Sequence, residues 1–359
     1  MQVAVLGDLH FGARNDNLEF LDYFERFFNE VFFPEIKRRK ITHVIQLGDF
    51  VDRRKFINFV TLRRIRNILK RCQDEGITMD VIIGNHDTPY KNTSEINSMK
   101  ELFSTVNDSF DYVNFYSEPT EKMIGTTRVL LLPWINLSNH DASMAALKDT
   151  KAKVLFAHIE IKGFEMYRGM PSHEGFDMSF FDKFEHVATG HFHHRHTKGN
   201  INYYGTPYEI TWADYGDNKG FHIFDTNKKT AEFIASPFKM FHKVWYDDEG
   251  KTNDEVLTRN FDPFNKSYVK LIVQNKTNPF LFDLFLSKIY EKSPLDVTIV
   301  EDHRNMQDIS EEDLADQAED TLTILSKYIG QMETNVNKDE LDKYMRTLYN
   351  EALNMETAQ

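Results

Sequence analysis

Five short blocks of this 359-residue chain put metal-ligating residue types directly behind apolar runs. "GDLH" supplies Asp8 and His10, "GDFVD" supplies Asp49 and Asp52, and "GNHD" supplies Asn85, His86 and Asp87. "FAHIE" adds His158, and "GHFHH" adds His191 and His193. Oxygen from Asp and Asn with nitrogen from neutral His suits Mn²⁺, Fe²⁺ or Zn²⁺. Two such ions about 4 Å apart need a bridging carboxylate. Asp8 and His10 lie two residues apart across a turn, so both can face one ion. His191 and His193 share that spacing and can each reach a different ion. Taken singly, each residue has an ordinary reading. An isolated His such as His43, His173 or His186 is more often structural or exposed than ligating, and Asp52 can cap a loop. His194 and His196 are taken as solvent-facing or as supports behind the ligands. Five blocks in succession, each at a strand end, are not accounted for in that way.

The elements that must position these residues alternate strand and helix. "QVAVLGD", "ITHVIQLGD" and "TMDVIIGNHD" are short β-branched runs, read as buried strands. Between them, "NLEFLDYFERFFNEVFFPEI" puts Phe20, Phe24, Phe27 and Val31 at helical spacing, and "NFVTLRRIRNILKRCQDEG" is a helix stopped by Gly76. "TRVLLLPWI", "AKVLFAHIEI", "EHVATGHFHH", "NINYYGTPYEI" and "GFHIFD" continue as strands. The pattern predicts an α/β fold with two stacked sheets flanked by helices. Strand C-termini in such a fold converge on one edge, where distant residues meet.

Composition shifts near Asp247, giving a body over 1–246. "YVKLIVQ", "PFLFDLFLSKIYE" and "LDVTIVED" then read as a small βαβ-like module over 247–300. An acidic linker spans 301–320, and two amphipathic segments fill 321–359. One of these carries Leu322, Leu325, Ile329 and Met332. The other carries Leu341, Tyr344, Met345 and Leu348, opened by Asn337 and Glu340 as a capping pair. No apolar run reaches membrane-spanning length. The opening strand leaves no room for a signal peptide, and a single cysteine, Cys72, excludes an internal disulfide and fits a reducing cytoplasm. The net charge of −13 is concentrated in the tail, since residues 301–359 hold 5 Lys/Arg against 15 Asp/Glu. The body is near neutral, so overall charge argues neither for nor against nucleic-acid binding there.

The order D-x-H, G-D-x-x-D, G-N-H-D, H, G-H-x-H resembles the signature of the calcineurin-like metallophosphoesterases. The closer resemblance is to the SbcD-type nucleases, the bacterial and phage relatives of the eukaryotic meiotic-recombination nuclease. "YYGTPYEIT" (203–211) is similar to the segment that follows their last His block, and the small module resembles their capping domain. The compact length and "GDFVDRRK" resemble the recombination endonucleases of T-even-type phages. Motifs carry the resemblance from residue 1 to about 225, layout alone carries it to about 300, and the tail matches in kind.

What the resemblance implies is a metal-dependent DNA exonuclease and endonuclease of recombination and repair. Two divalent ions, Mn²⁺ foremost, would be held by Asp8, His10, Asp49 and His193, and by Asp49, Asn85, His158 and His191. His86 would contact the scissile phosphate and help the leaving oxygen, with Asp87 setting its orientation and charge. Water activated between the cations would attack phosphorus. Asp52 stands where many of these nucleases have a second active-site His. Arg53, Arg54 and Lys55 would face DNA. Arg63, Arg64, Arg66, Lys70 and Arg71 either join them or form a solvated helix face. The implied partners are DNA, an SbcC-type coiled-coil ATPase that docks on the tail, and a second copy of the chain. The second copy would meet helices near 58–72 and 92–105, whose stripes could equally pack on their own sheet. The implied location is the cytoplasm, that of the host if the chain is phage-encoded. Another calcineurin-like phosphoesterase, acting on proteins or nucleotides, remains the alternative, and a scaffold without catalysis is the third reading.

Overall fold

Strands buried on both faces read as continuous apolar runs rather than alternating ones, and this chain is built around such strands. A computed structural model describes residues 1–104, 112–167 and 170–301, together with Ile329 and seven positions between 337 and 345. The strands in chain order begin with β1 Gln2–Leu6, β2 His43–Gln46, β3 Thr78–Ile82, β4 Val113–Tyr116, β5 Thr120–Ile124, β6 Thr127–Leu132 and β7 Val154–His158. A hairpin follows, β8 Glu165–Tyr167 and β9 Met170–Pro171, then β10 His186–Gly190, β11 His196–Lys198 and β12 Ile201–Tyr203. The last are β13 Gly220–Asp225, β14 Thr230–Ala235, β15 Phe241–Asp247, β16 Tyr268–Asn275 and β17 Asp296–Glu301.

Two six-stranded sheets stack, in the orders β14-β13-β1-β2-β3-β4 and β11-β12-β10-β7-β6-β5. In the first, β1 through β4 run parallel; in the second, β12, β10, β7 and β6 do. Side chains alternate between cores. Val3 and Val5 meet Val129, Leu131, Val154, Phe156 and Ala188 between the sheets. Ala4 and Leu6 face the helices on the other side, and Leu155 and Ala157 face the outer layer of the second sheet. The expected α/β sandwich is therefore present. Among the described residues no helix is long and apolar enough to cross a membrane.

The first helix departs from the expected stripe. Leu18–Phe27 passes through one wide π turn, Phe28–Phe32, into Phe33–Arg39. The extra residue in that turn re-phases the helix. Phe28, Phe32 and Phe33 consequently bury with Phe20, Phe24 and Phe27, while Val31 is only half-buried. Asn17 caps the start by accepting from the Glu19 and Phe20 N–H groups.

The small module has its own core of Val244, Tyr246, Val269, Leu271, Phe282, Phe285 and Ile289. Its three parallel strands run β15-β16-β17, with the helix Pro279–Tyr290 packed on them. The boundary expected after residue 246 falls inside β15, so the module's sheet already starts at Phe241. The acidic linker lies outside the described residues apart from Glu301, as does most of the tail. Ile329 is buried, and Leu341 N–H donates to the Asn337 carbonyl at 3.0 Å, as a helix opening there requires.

One polar cluster fastens the sheets together. The buried Asp80 carboxylate of β3 accepts from Lys122 of β5 at 2.7 and 2.8 Å, from Asn114 at 2.9 Å and from Tyr116 at 3.1 Å, and meets His43 at 2.7 Å. Burial would raise the Asp80 carboxyl, but hydrogen bonds from His43 and Lys122 outweigh it and hold it below the usual carboxylate value. A depressed carboxylate contributes stability that is present above its unfolded value near 3.9 and lost as pH falls through the folded value. Asp80→Asn is expected to cost about 3 kcal/mol at pH 7, the low end for breaking a buried pair because Lys122 keeps access to water. Urea titrations at pH 7 and pH 3 should show the difference between variant and wild type shrinking in acid.

Candidate metal centre

Both sheets deliver their parallel strands' C-terminal ends to one edge. β1 leads to Asp8 and His10, β2 to Asp49 and Asp52, β3 to Asn85 and His86, β7 ends in His158, and β10 leads to His191 and His193. Atoms of Asp8, His10 and His193 lie within 4.8 Å of one another, as do those of Asp49, His158 and His191. Asp49 stands between the groups: its Oδ2 is 3.3 Å from His158 Nε2 and 3.9 Å from His10 Nε2. The Asn85 side-chain amide joins the second group, 2.9 Å from His158 Nε2 and 3.1 Å from His191 Nδ1. His193 Nε2 is 3.0 Å from His10 Nε2. The residues read as ligands thus meet in two adjoining sets.

Holding them there strains the backbone. His10, Asp49 and His191 are non-glycine residues with φ of 45°, 53° and 88°. Such positions cost of order 1–3 kcal/mol each and persist where surroundings over-determine them. The Asp49 carbonyl accepts from both Leu9 and His10 N–H groups at 3.0 Å, so one strained turn carries the other. Close approach explains the glycines: a Cβ on Gly190 would overlap Asp8 Oδ1, and one on Gly84 would overlap Asp49.

The donor set tests for a cation. His158 Nδ1–H donates to the Leu47 carbonyl at 2.7 Å, which leaves Nε2 as a lone pair in the neutral ring. That lone pair faces the Asn85 amide and Asp49 Oδ2. Burial opposes a charge on His158, but the Asp49 carboxylate prevails and raises it to about 9. Burial likewise pushes Asp8 up to about 7. His191 and His193 are pushed well down by burial, His191 to about 3, so both stay neutral and able to ligate. The residues fit a pair of divalent ions held by O and N donors.

Other candidates find different places. His86 is half-buried; its N–H donates to Asp49 Oδ1 at 2.7 Å and its ring Nδ1 to the Asp52 carbonyl at 2.6 Å. Asp87 was expected to orient His86. Instead its carboxylate accepts from Phe50 N–H at 2.9 Å, Val51 N–H at 3.2 Å and Gly84 N–H at 2.9 Å. It ties the loop after β2 to the loop after β3, and the Asp52 carbonyl fixes the His86 ring. Asp52 also places Oδ1 3.3 Å from His10 Nδ1. Arg53 pairs with Asp16 at 3.4 Å, Arg54 lies next to the Asn85 amide, and Lys55 is exposed. Arg64 is engaged by Glu25 and Asp22, and Arg71 by Glu75 and Asn29, which favours a structural reading of these two. His194 supports from behind, with Nδ1 2.8 Å from Asp217.

Sequence reasoning missed Trp134, whose ring lies 4.9 Å from His191 and 6.0 Å from His158. Its position just past β6, at the same sheet edge, was the available signal. It also missed why "YYGTPYE" follows the last His block. Tyr208 donates to the Leu9 carbonyl at 2.7 Å, between Asp8 and His10, and stacks on Phe24 at 3.9 Å.

Asp49→Ala is expected to abolish binding of both ions, because its carboxylate lies between His158 of one group and His10 of the other; calorimetry with Mn²⁺ checks it by the number of tight sites left. Asp87→Asn should weaken Mn²⁺ binding together with stability, since it unties two ligand loops. Unchanged affinity with lost turnover would return Asp87 to the role of orienting His86.

Residues 1–195 match the calcineurin-like phosphoesterase family. The chain is 30% identical over 354 residues to exonuclease subunit 1 of Enterobacteria phage T4, covering 98% of this chain and 99% of that protein. It is 29% identical over 201 residues to the DNA double-strand break repair protein Mre11 of Sulfurisphaera tokodaii, covering 54% of this chain and 49% of that one. Among solved structures, an archaeal phosphodiesterase aligns with 66% of this chain and 100% of its own at 14% identity and a TM-score of 0.33.

Proposed function

The chain belongs to the calcineurin-like phosphoesterases, a metal-dependent hydrolase family, and on that premise we propose that it is a two-metal DNA nuclease. It hydrolyses phosphodiester bonds as exonuclease and endonuclease, and serves recombination and double-strand break repair in a complex with an SbcC-type ATPase. The observation that carries the nuclease reading is the meeting of seven ligand-type side chains at one sheet edge in a chain that aligns along 98% of its length with a phage exonuclease subunit. Likeness over the small module and tail, as well as the body, favours DNA over a protein or nucleotide substrate.

Asp8, His10, Asp49 and His193 would hold one Mn²⁺, and Asp49, Asn85, His158 and His191 the other. When bound, such a pair lowers the pKa of water and stabilises charge on phosphoryl oxygens. The chain supplies the rest. A carbonyl only accepts, so the Asp52 carbonyl requires a proton on His86 Nδ1; Nε2 would then donate to the phosphate and the leaving oxygen as the second N–H of the imidazolium, giving up that proton to the leaving oxygen. Arg54 adds positive charge beside Asn85, and Lys55 extends it toward solvent.

A homodimer is supported by Phe56, Phe59 and Val60, which are exposed where the helix Phe59–Asp74 begins, Phe59 by 86%. Ile65, Ile68, Leu69 and Cys72 of the same helix pack on their own sheet, so a second copy would meet only the exposed start of the helix. The ATPase would dock on the tail, where Tyr344 is exposed. The cytoplasm of a bacterial host is the fitting location, given the phage relative.

His86→Ser should keep Mn²⁺ and DNA binding and lose cleavage by about 10²–10⁴ in rate. End-labelled duplex, single-stranded DNA and p-nitrophenyl phosphate esters, each with Mn²⁺, check the assignment. Equal turnover of the small esters and none of DNA would replace the nuclease with another phosphoesterase.

A further inference from the structure

Behind the metal centre lies a buried cation that the reaction as described does not use. Lys219, just before β13, is 2% exposed. Its Nζ donates to the His193 carbonyl at 2.8 Å and to Asp214 Oδ1 at 2.5 Å, and lies 3.7 Å from Asp217 Oδ2. Each neighbour is itself pinned. Asp214 Oδ2 accepts from the Ile210 and Thr211 N–H groups at 2.8 and 2.9 Å, and Asp217 meets His194 at 2.8 Å. Thr206 N–H also donates to the His193 carbonyl, at 3.2 Å, and a Cβ on Gly205 would overlap that oxygen. The ammonium therefore grips the backbone of the candidate ligand His193 and lies beside Asp217, which meets the side chain of His194.

Burying an ammonium away from water is costly unless it is paired and hydrogen-bonded. Here the groups that receive it belong to the ligand loop and to the segment 210–217 that backs it. The alternative for a lysine at this position is to place its head in solvent along the surface, as lysines generally do.

We propose that Lys219 is the positioning residue for His193. It sets how firmly the ion shared by Asp8, His10 and His193 is bound and leaves the ion at Asn85, His158 and His191 unaffected. The inference rests on the two-ion reading given above. His158 and His191 take their restraints from other groups: His158 Nδ1–H donates to the Leu47 carbonyl, and His191 N–H donates to the Asp8 carboxylate. Groups behind a ligand typically change metal affinity 10–100-fold when removed. The effect should therefore fall on one ion only.

The test is Mn²⁺ binding to the full-length protein, followed by calorimetry and by electron paramagnetic resonance, which separates spin-coupled pairs from single ions. Two variants are compared with wild type. Lys219→Met removes the grip but strands Asp214. Lys219→Met with Asp214→Asn removes the grip without leaving that buried charge unpaired, and carries the test alone if the single variant does not fold. The expected result in both is one site of wild-type affinity and one weakened 10–100-fold. The coupled signal of the pair should give way to that of a single ion at Mn²⁺ levels that saturate wild type. Two sites of unchanged affinity would overturn the proposal, as would equal weakening of both. So would recovery of the weak site in the double variant, because the loss would then come from the stranded carboxylate. Fewer than two Mn²⁺ on wild type would instead overturn the two-ion reading itself.

Discussion

A carboxylate sealed between two imidazoles cannot stay ionised without a positive charge beside it, and Asp49 is in that position. The desolvation of a lone buried charge is large, so a proton or a metal ion must accompany it. Asp8 and Asp49 share the pocket with His10 and His158, so two buried carboxylates that repel one another are gathered beside imidazoles. The Asp49 carboxylate raises His158 and burial raises Asp8, so both groups favour holding a proton. Metal binding and proton release are therefore linked in this site.

Much of the surrounding structure serves to keep that unfavourable collection together. Three candidate ligands sit in left-handed backbone, and each strained turn is held by hydrogen bonds from another loop. Asp87 ties the loop after β2 to the loop after β3; Tyr208 holds the Asp8–His10 loop; Lys219 holds the His193 loop. None of these groups needs to touch substrate. They convert a sheet edge, which only brings residues near one another, into a site where atoms meet within hydrogen-bonding distance. The aromatic core beneath contributes the rigidity: Phe24 stacks on the same Tyr208 that reaches Leu9.

The small module illustrates how the two scales join. Its hydrophobic core is separate, yet its first strand opens at Phe241, whose N–H donates to the buried Glu209 carboxylate at 3.0 Å. Glu209 belongs to the segment that also contains Tyr208 and Ile210. The piece of chain that backs the metal centre thus also anchors the module.

The ligand types, their order and the sheet edge on which they gather are written in the residue order of the chain. That information is local: an apolar run of strand length followed by Gly and a ligand residue places the residue at a strand end wherever the strand lies. The two-sheet sandwich and the βαβ module were legible for the same reason. Side-chain direction at a turn is not local. Asp87 follows His86 directly, yet its carboxylate points back to Phe50 and Val51, where only the packing of β2 beside β3 supplies N–H groups. Trp134 and Lys219 were not legible because their contacts cross from one strand end to another. The re-phased Phe stripe depended on a π turn that no spacing announces, since a single inserted residue is favoured only by the core it fills. Tertiary structure alone decided which neighbours each buried polar atom found, because a hydrogen bond is won by distance and angle and not by separation along the chain.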